Sequence, residues 1–300
     1  MLYNHAQLSN KTWFAGGAWT WGGFMPHNTC SIKCTPPAIE ACKKYNVNNI
    51  FITLWGDNGA ECSKFGVLPT LFMIAEMVRG NTDMELIKKK FEKMFGISFD
   101  EFLLLDSPNE IALPEDTSVP VNPCKYMLYS DPFVGFLDST VKIGEGKKYL
   151  DYSAKIKAVG KKTRKYGYLF DTASKLCDTL ADKYELGVKT RNAYKAGDKA
   201  ELLRLAKEEY TRVEANLKSF IKAFEKQWMI ENKPFGFEVQ DYRLGGTLFR
   251  INSCKKRLID YAEGKISSIP ELEEEILTFR KDEESIYYNL YTKNISSCPM

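Results

Sequence analysis

The stretch NNIFITLWGDNG, residues 48–59, places a run of β-branched and aromatic side chains directly before a turn. Alternate residues of an extended chain point to opposite sides, and one side of this predicted strand is aliphatic, as packing against helices requires. The opposite side ends in Trp55 and Asp57. Ligands of parallel α/β folds bind at the carboxyl ends of the strands. The stretch therefore predicts a parallel strand that ends in a candidate binding site.

A second strand is predicted over FAGGAWTW, residues 14–21. Its tryptophans, Trp19 and Trp21, are two residues apart, so both indoles lie on one side of an extended chain. Two adjacent prolines, Pro36 and Pro37, predict the start of the helix that follows, and another apolar helix is predicted after the second strand. Strands and helices that alternate with short connections are typical of parallel βα units.

The remainder of the chain has a different pattern. Five prolines fall between residues 106 and 135, which predicts an extended connector. From residue 136 to residue 300, apolar residues recur three and four positions apart with Lys and Glu between them, as in amphipathic helices. We therefore divide the chain into an α/β part at residues 1–105, the connector at residues 106–135 and an all-α domain at residues 136–300.

Composition excludes several classes of function. The net charge of +3 results from 42 basic and 39 acidic residues, so no excess positive charge favours nucleic acid. No apolar run approaches the ~18 residues of a membrane span, and the first residues lack the pattern of a secretory leader. The eight cysteines are scattered, as is typical of reduced, cytoplasmic proteins. We expect a cytoplasmic protein that binds neither nucleic acid nor membrane.

The Trp-x-Asp pair at Trp55 and Asp57 has two interpretations. An indole face stacks on the apolar face of a sugar ring, and a carboxylate accepts paired hydrogen bonds from sugar hydroxyls. The same pair is also typical of a core tryptophan beside a turn aspartate. The spacing alone does not decide between a carbohydrate site and a structural role.

Three segments carry a family resemblance: FAGGAWTWGGFMP at residues 14–26, NIFITLWGDNGAECSKFGVLPTLFMIAE at residues 49–76 and ENKPFGFEVQDYRLGGTLFR at residues 231–250. Together they resemble the family 20 glycoside hydrolases, which are exo-acting β-N-acetylhexosaminidases, over essentially the whole chain. The closest likeness is to the bacterial subgroup with a helical domain behind a (β/α)8 barrel. The resemblance implies the C-terminal portion of a TIM barrel, with its last two strands and helices, followed by a mainly α-helical domain.

The resemblance also implies roles for the strand-end residues. In that family the last barrel strand ends in Trp-x-Glu or Trp-x-Asp, where the ring walls the sugar site and the acid binds the outer hydroxyls of the terminal sugar. The matching residues are Trp55 and Asp57, and Trp19 and Trp21 match further walls, with either of these two facing the sugar. The implied substrates are glycans that end in N-acetylglucosamine or N-acetylgalactosamine. Their hydrolysis is substrate-assisted and retaining, and it needs no cofactor or metal.

The catalytic Asp-Glu pair of that mechanism lies in the middle of the family's barrel and has no counterpart here. Asp100-Glu101 and Asp282-Glu283 are the Asp-Glu dipeptides of this chain, and both lie in predicted helices rather than at strand ends. We therefore expect a C-terminal fragment of a β-N-acetylhexosaminidase, without catalytic residues and inactive by itself.

Other hypotheses remain open at this stage. The long helices favour a homodimer through the helical domain, and the chain could be a dimerisation or assembly module without catalytic activity. Sugar binding without hydrolysis is a third possibility. The RLGG segment at residues 243–246 indicates close helix packing or a kink, with a subunit contact as the alternative. Zinc is not favoured, because the spacing of four candidate ligands fits no common tetrahedral pattern: they are His27, Cys30, Cys34 and Cys42.

Overall fold

A computed structural model describes residues 2–8, 11–111 and 122–276. The chain forms two compact units. The first, here called the strand unit, comprises residues up to 106 together with residues 162–164. The second, here called the helical unit, comprises residues 107–161 and residues from 165 onward.

The strand unit contains both strands of the described residues. Strand β1, Trp13–Gly17, pairs in parallel with strand β2, Asn49–Thr53, and Gly17 lies opposite Thr53 in the register. The predicted strand over residues 14–21 is therefore too long, because the regular ladder ends at Gly17 and both tryptophans follow it. The parallel pairing itself agrees with the sequence pattern.

Among its described residues, the strand unit has five α-helices: α1 (Leu2–Leu8), α2 (Asn28–Lys44), α3 (Leu68–Val78), α4 (Met84–Phe95) and α5 (Phe99–Leu103). Helix α2 connects the two strands, and it begins at Asn28 rather than at the predicted start at Pro36, so that both prolines lie inside it. Asp83 caps α4 through the backbone N–H groups of its first turn, and Gly96 ends it in a left-handed conformation with φ of 69°.

Most of the helical residues belong to the helical unit, and the sequence predicts this helical domain. Its helices are α6 (Pro123–Tyr129), α7 (Lys147–Gly160), α8 (Gly167–Lys195), α9 (Lys199–Lys207), α10 (Glu209–Glu231), α11 (Phe237–Ala262) and α12 (Pro270–Glu273). The long helix α8 packs against α7, α10 and α6. Part of the predicted connector is therefore helical, since Pro123 begins α6, and residues 112–121 of the connector lie outside the described residues.

Helix packing in this unit buries large aromatic and aliphatic side chains. Tyr210 is fully buried, and its hydroxyl shares a hydrogen bond of 3.0 Å with the hydroxyl of Thr190 on α8. Buried Leu202, Leu205 and Val213 belong to the same core cluster. None of the described helices is long and apolar enough to cross a membrane.

A buried ionic cluster connects the segment after α6 to α8 and α11. Asp131 accepts hydrogen bonds from Arg250 at 2.6 and 3.2 Å and from the backbone N–H of Phe133 at 2.8 Å. The guanidinium groups of Arg250 and Arg257 lie 5.4 and 5.7 Å from the centre of the Phe133 ring. These contacts fix an irregular segment against the helices, since its polar groups find partners on α11.

Asp138, in the same cluster, is expected to make the stability of the helical unit depend on pH. Burial raises the pKa of Asp138 from 3.8 to about 6, although the positive charges of Arg191 and Lys183 act in the opposite direction. The protonated form is therefore favoured by folding, and its contribution to stability is lost as the pH rises through 6. We expect the stability of Asp138→Asn relative to the wild type to be about 2 kcal/mol more favourable near pH 7.5 than near pH 4.5. Urea unfolding of both proteins at both pH values measures this difference in stability. The same difference between variant and wild type at pH 4.5 and at pH 7.5 would contradict the prediction.

Candidate functional site

The pairing between the two strand segments continues past the regular sheet. The backbone N–H of Ala18 donates to the carbonyl of Thr53 at 3.0 Å, and that of Gly22 donates to the carbonyl of Asp57 at 3.1 Å. Between them, the side-chain hydroxyl of Thr20 donates to the carbonyl of Trp55 at 2.8 Å. This two-residue repeat holds the four predicted site residues at the carboxyl ends of neighbouring parallel strands.

Trp19 and Trp21 stack on each other. Their ring centroids are 4.3 Å apart with 25° between the planes, and the indole N–H of Trp19 donates to the carbonyl of Trp21 at 2.9 Å. The Trp21 ring lies over Gly17, where a β-carbon would come within 2.8 Å of it, so any larger residue at this strand end would displace the ring. His27 contacts the Trp19 ring edge-on at 5.8 Å. Both indoles are half-buried, and together they form an aromatic wall.

Trp55 and Asp57 lie on the more exposed side of this strand end. The Trp55 side chain is 57% exposed, and Asp57 is exposed as well. The backbone carbonyl of Trp55 accepts a second hydrogen bond, from Lys64 at 2.7 Å, so the position of this residue is fixed while its ring faces solvent. The backbone carbonyls of both residues accept hydrogen bonds from the other segment, that of Trp55 from the Thr20 hydroxyl and that of Asp57 from the Gly22 N–H. An exposed indole and an exposed carboxylate two residues apart are the side-chain types that bind a polyhydroxylated ring.

Helix α2 is hydrogen-bonded to the segment that carries the aromatic wall. The hydroxyl of Ser31 accepts a hydrogen bond from the backbone N–H of Trp19 at 3.0 Å. Asp106 caps this helix by accepting bonds from the Thr29 N–H at 2.7 Å and the Asn28 side chain at 3.0 Å. Burial raises the pKa of Asp106 to about 6 despite these donors. The start of α2 and the tryptophan pair are therefore parts of one hydrogen-bonded network.

Three residues that form hydrogen bonds with this strand end are not among the site residues that the sequence predicts: Thr20, Ser31 and Lys64. The sequence could have indicated Thr20, since this residue lies between the two tryptophans and alternation places it on the opposite side of the chain from them. Lys64 bonds both the Thr20 hydroxyl, at 3.1 Å, and the Trp55 carbonyl. Nothing in the local sequence of Ser31 or Lys64 indicates these contacts, which depend on residues that are distant along the chain.

We expect Thr20→Val to lower the free energy of unfolding of the strand unit by about 1 kcal/mol, because it removes the hydrogen bond to Trp55 while keeping the side-chain volume. The tryptophan emission of the native state should change with it. Thr12→Val is the matched control, since the Thr12 hydroxyl bonds the carbonyl of His5 at an exposed position. Denaturant unfolding followed by fluorescence measures both, and equal effects of the two substitutions would contradict a specific role of Thr20.

Neither Asp-Glu dipeptide lies at the described strand ends. Asp100 and Glu101 belong to α5, where they pair with Lys88 at 2.9 Å and with Lys162 at 2.7 Å. Asp282-Glu283 lies outside the described residues. Among the described residues, no group of three or more His, Cys, Asp or Glu side chains is arranged to hold a metal ion.

Comparison with protein families finds a match to the model of the glycoside hydrolase 20C C-terminal domain over residues 100–289. The match covers more than half of the chain and begins after both strands, so the site at the strand ends lies outside it. A search of curated proteins finds no match.

Proposed function

The chain belongs to the family of the glycoside hydrolase 20C C-terminal domain, and we propose from this that it is the C-terminal part of a β-N-acetylhexosaminidase. The parent enzyme would release terminal N-acetylglucosamine or N-acetylgalactosamine from glycans by a substrate-assisted, retaining mechanism. In this proposal the helical unit is the family's C-terminal domain and the strand unit contributes to the sugar site.

The exposed face of the two-stranded sheet supports the proposal that these strands are part of a barrel. Parallel sheets are normally covered on both faces. Here Trp13 is 62% exposed and Phe51 is 46% exposed, and their rings pair at a centroid distance of 6.3 Å. Two large rings on an open sheet face favour further strands that close over them, as in the last two strands of a (β/α)8 barrel.

The strand-end geometry is the observation that carries the sugar assignment. The exposed Trp55 ring would stack on the apolar face of the terminal sugar, and the Asp57 carboxylate would accept hydrogen bonds from its outer hydroxyls. The Trp19–Trp21 pair would form a further wall. Because the residues of the catalytic pair are not among these, the chain would hold the sugar without cleaving it.

We expect purified protein to release no nitrophenol from the aryl N-acetyl-β-glucosaminide above background. Its strand-end residues position a sugar, and none of them combines a proton donor with a group that orients the 2-acetamido substituent. Asp57→Ala is the control, because this substitution should lower the rate of any turnover that takes place at this site. Release by the wild type that persists in Asp57→Ala would contradict the assignment of the site.

Sugar binding itself is tested by titrating tryptophan fluorescence with N-acetylglucosamine. A partial pocket provides few contacts, so we expect saturable binding with a Kd of about 1 mM or weaker. Trp55→Ala and Asp57→Ala should each abolish the response, whereas Trp13→Ala, which also removes an exposed indole, should retain it. A response that survives Trp55→Ala would contradict the proposed site.

A homodimer through the helical unit is a second candidate function, favoured by the exposed face of α11. Tyr242 and Phe249 are 69% and 76% exposed on one side of this helix, and Gly245 lies between them. Glu238 and Lys256 occupy the two exposed ends of the same side. If two copies of α11 cross in antiparallel fashion, each Phe249 meets a Gly245 and each Glu238 meets a Lys256. The face is therefore self-complementary in shape and in charge.

Sedimentation velocity tests the dimer with a charge exchange. We expect a dimer for the wild type, monomers for Glu238→Lys and for Lys256→Glu, and a restored dimer for the double variant. Leu150→Glu is the control, since Leu150 is an exposed apolar residue on α7. A monomeric wild type at all concentrations would exclude this function.

The cysteines support the proposal of a cytoplasmic location. None of the seven in the described part of the chain forms a disulfide, and Cys298 lies outside the described residues. Reduced thiols are typical of the cytosol.

A further inference from the structure

Two cysteines outside the strand-end site lie side by side on α2. Cys30 and Cys34 are one helical turn apart, and their sulfur atoms are separated by 3.9 Å. Cys34 is exposed and Cys30 is half-buried, whereas Cys42 on the same helix is fully buried. We propose that this pair is an oxidation site, at which a peroxide closes a disulfide between Cys30 and Cys34 and thereby displaces the Trp19–Trp21 pair.

The exposed thiol reacts first. Burial, together with the neighbouring Cys34 and Asp106, raises the pKa of Cys30 to about 12, against which the charge of Lys33 acts weakly. Cys30 is therefore protonated at neutral pH, and the Cys34 thiolate attacks the peroxide. An S–O bond forms, the O–O bond breaks, and the departing oxygen takes up a proton and leaves as water.

Cys30 completes the reaction as the resolving thiol. Its sulfur attacks the sulfenic sulfur of Cys34, an S–S bond forms and the S–O bond breaks. The Cys30 proton leaves with the departing hydroxide as a second water. Two thiols are oxidised and one peroxide is reduced, so that electrons and atoms balance.

Closing the disulfide must deform the first turns of α2. Residues four apart in a helix have β-carbons about 5–6 Å apart, whereas a disulfide needs about 3.5–4.5 Å. The backbone of residues 30–34 therefore has to change so that the two β-carbons move closer together. Pro36 and Pro37 lie in the next turn and have no N–H groups, so the carbonyls of residues 32 and 33 lack their usual helical donors. Fewer backbone hydrogen bonds resist the change in this turn than in a regular helix.

Ser31 connects the deforming turn to the aromatic wall. Its hydroxyl accepts from the backbone N–H of Trp19 at 3.0 Å and donates to the carbonyl of His27 at 2.9 Å. The His27 ring itself contacts the Trp19 indole. Tightening residues 30–34 moves these partners of Trp19, and the stacking on Trp21 changes with them.

Peroxide oxidation of the whole chain tests the inference, with Cys298→Ser in every sample to remove the cysteine outside the described residues. Peptide mass spectrometry should find the Cys30–Cys34 disulfide, and near-ultraviolet circular dichroism should show an altered indole band. Both changes should reverse with dithiothreitol. With Cys30→Ser, we expect no disulfide, a Cys34 sulfenic acid that dimedone traps, and an unchanged indole band.

Ser31→Ala distinguishes the formation of the disulfide from its effect on the Trp19–Trp21 pair. This variant should still form the disulfide, with a smaller change in the indole band. Oxidation of wild-type Cys34 to sulfinic acid without a disulfide would overturn the proposed site. A disulfide that leaves the indole band unchanged would overturn the coupling to Trp19. Neither outcome depends on whether the strand end binds a sugar.

Discussion

Asp131→Ala is expected to lower the free energy of unfolding of the helical unit by about 3 kcal/mol, the lower end of the range for a buried pair, because the Arg250 side chain is 32% exposed. Burial alone would raise the pKa of Asp131, but the hydrogen bonds and charge of Arg250, with the backbone N–H groups of Phe133 and Val134, hold it below its ordinary value. Alanine removes all of these acceptors at once. The two N–H groups then lose their acceptor, and the guanidinium of Arg250 keeps only a more distant carboxylate, that of Glu271 at 3.8 Å.

Two further variants show whether the buried pair is responsible. Arg250→Met in the Asp131→Ala background should recover part of the loss, because it removes a charge that has lost its main hydrogen-bond acceptor. Asp182→Ala is the matched control: Asp182 binds Arg212 through two hydrogen bonds of 2.8 and 3.0 Å, but that arginine is about half exposed. Such a surface pair should cost about 1 kcal/mol or less. Equal losses from Asp131→Ala and Asp182→Ala in urea unfolding would contradict the role of burial.

The sequence predicts the helices well where the determinants are local. Apolar spacing identifies the long helices, and side-chain caps such as Asp83 and Asp198 mark their starts, because a cap bonds backbone groups two or three residues away. The start of α2 could not be predicted in this way. Its cap is the carboxylate of Asp106, which is distant in sequence from Thr29, so the local signal at Pro36 indicated the wrong start.

For the candidate site, the sequence predicts which side chains follow the strands but not how they are arranged. Side-chain alternation places Trp55 and Asp57 on the side opposite the aliphatic face of β2, and both residues are exposed. Alternation likewise predicts that Trp19 and Trp21 lie on one side of the chain. It does not predict their stacking, because the strand ends at Gly17 and the hydroxyl of Thr20 replaces a backbone donor in the continued pairing.

The start of α7 lies directly against helix α8 at Gly146. The N–H of Gly146 donates to Glu185 at 2.8 Å, and the same carboxylate oxygen accepts from the N–H of Gly144 at 2.8 Å. A β-carbon on Gly146 would come within 2.6 Å of the carbonyl oxygen of Ala181 and 3.1 Å of the Glu185 oxygen. The first of these atoms belongs to the backbone of a long helix, so it cannot move aside without shifting α8.

Gly146→Ala should therefore lower the free energy of unfolding by about 3 kcal/mol, the upper part of the range for inserting a methyl group into a packed contact. Backbone strain does not contribute, because Gly146 has φ of −53° and ψ of −32°, which alanine adopts readily. Lys147→Ala, at the exposed neighbouring position, is the control and should change stability by less than about 0.5 kcal/mol. Urea unfolding followed by far-ultraviolet circular dichroism measures both variants. If Gly146→Ala is as stable as Lys147→Ala, α7 and α8 do not approach as closely as described.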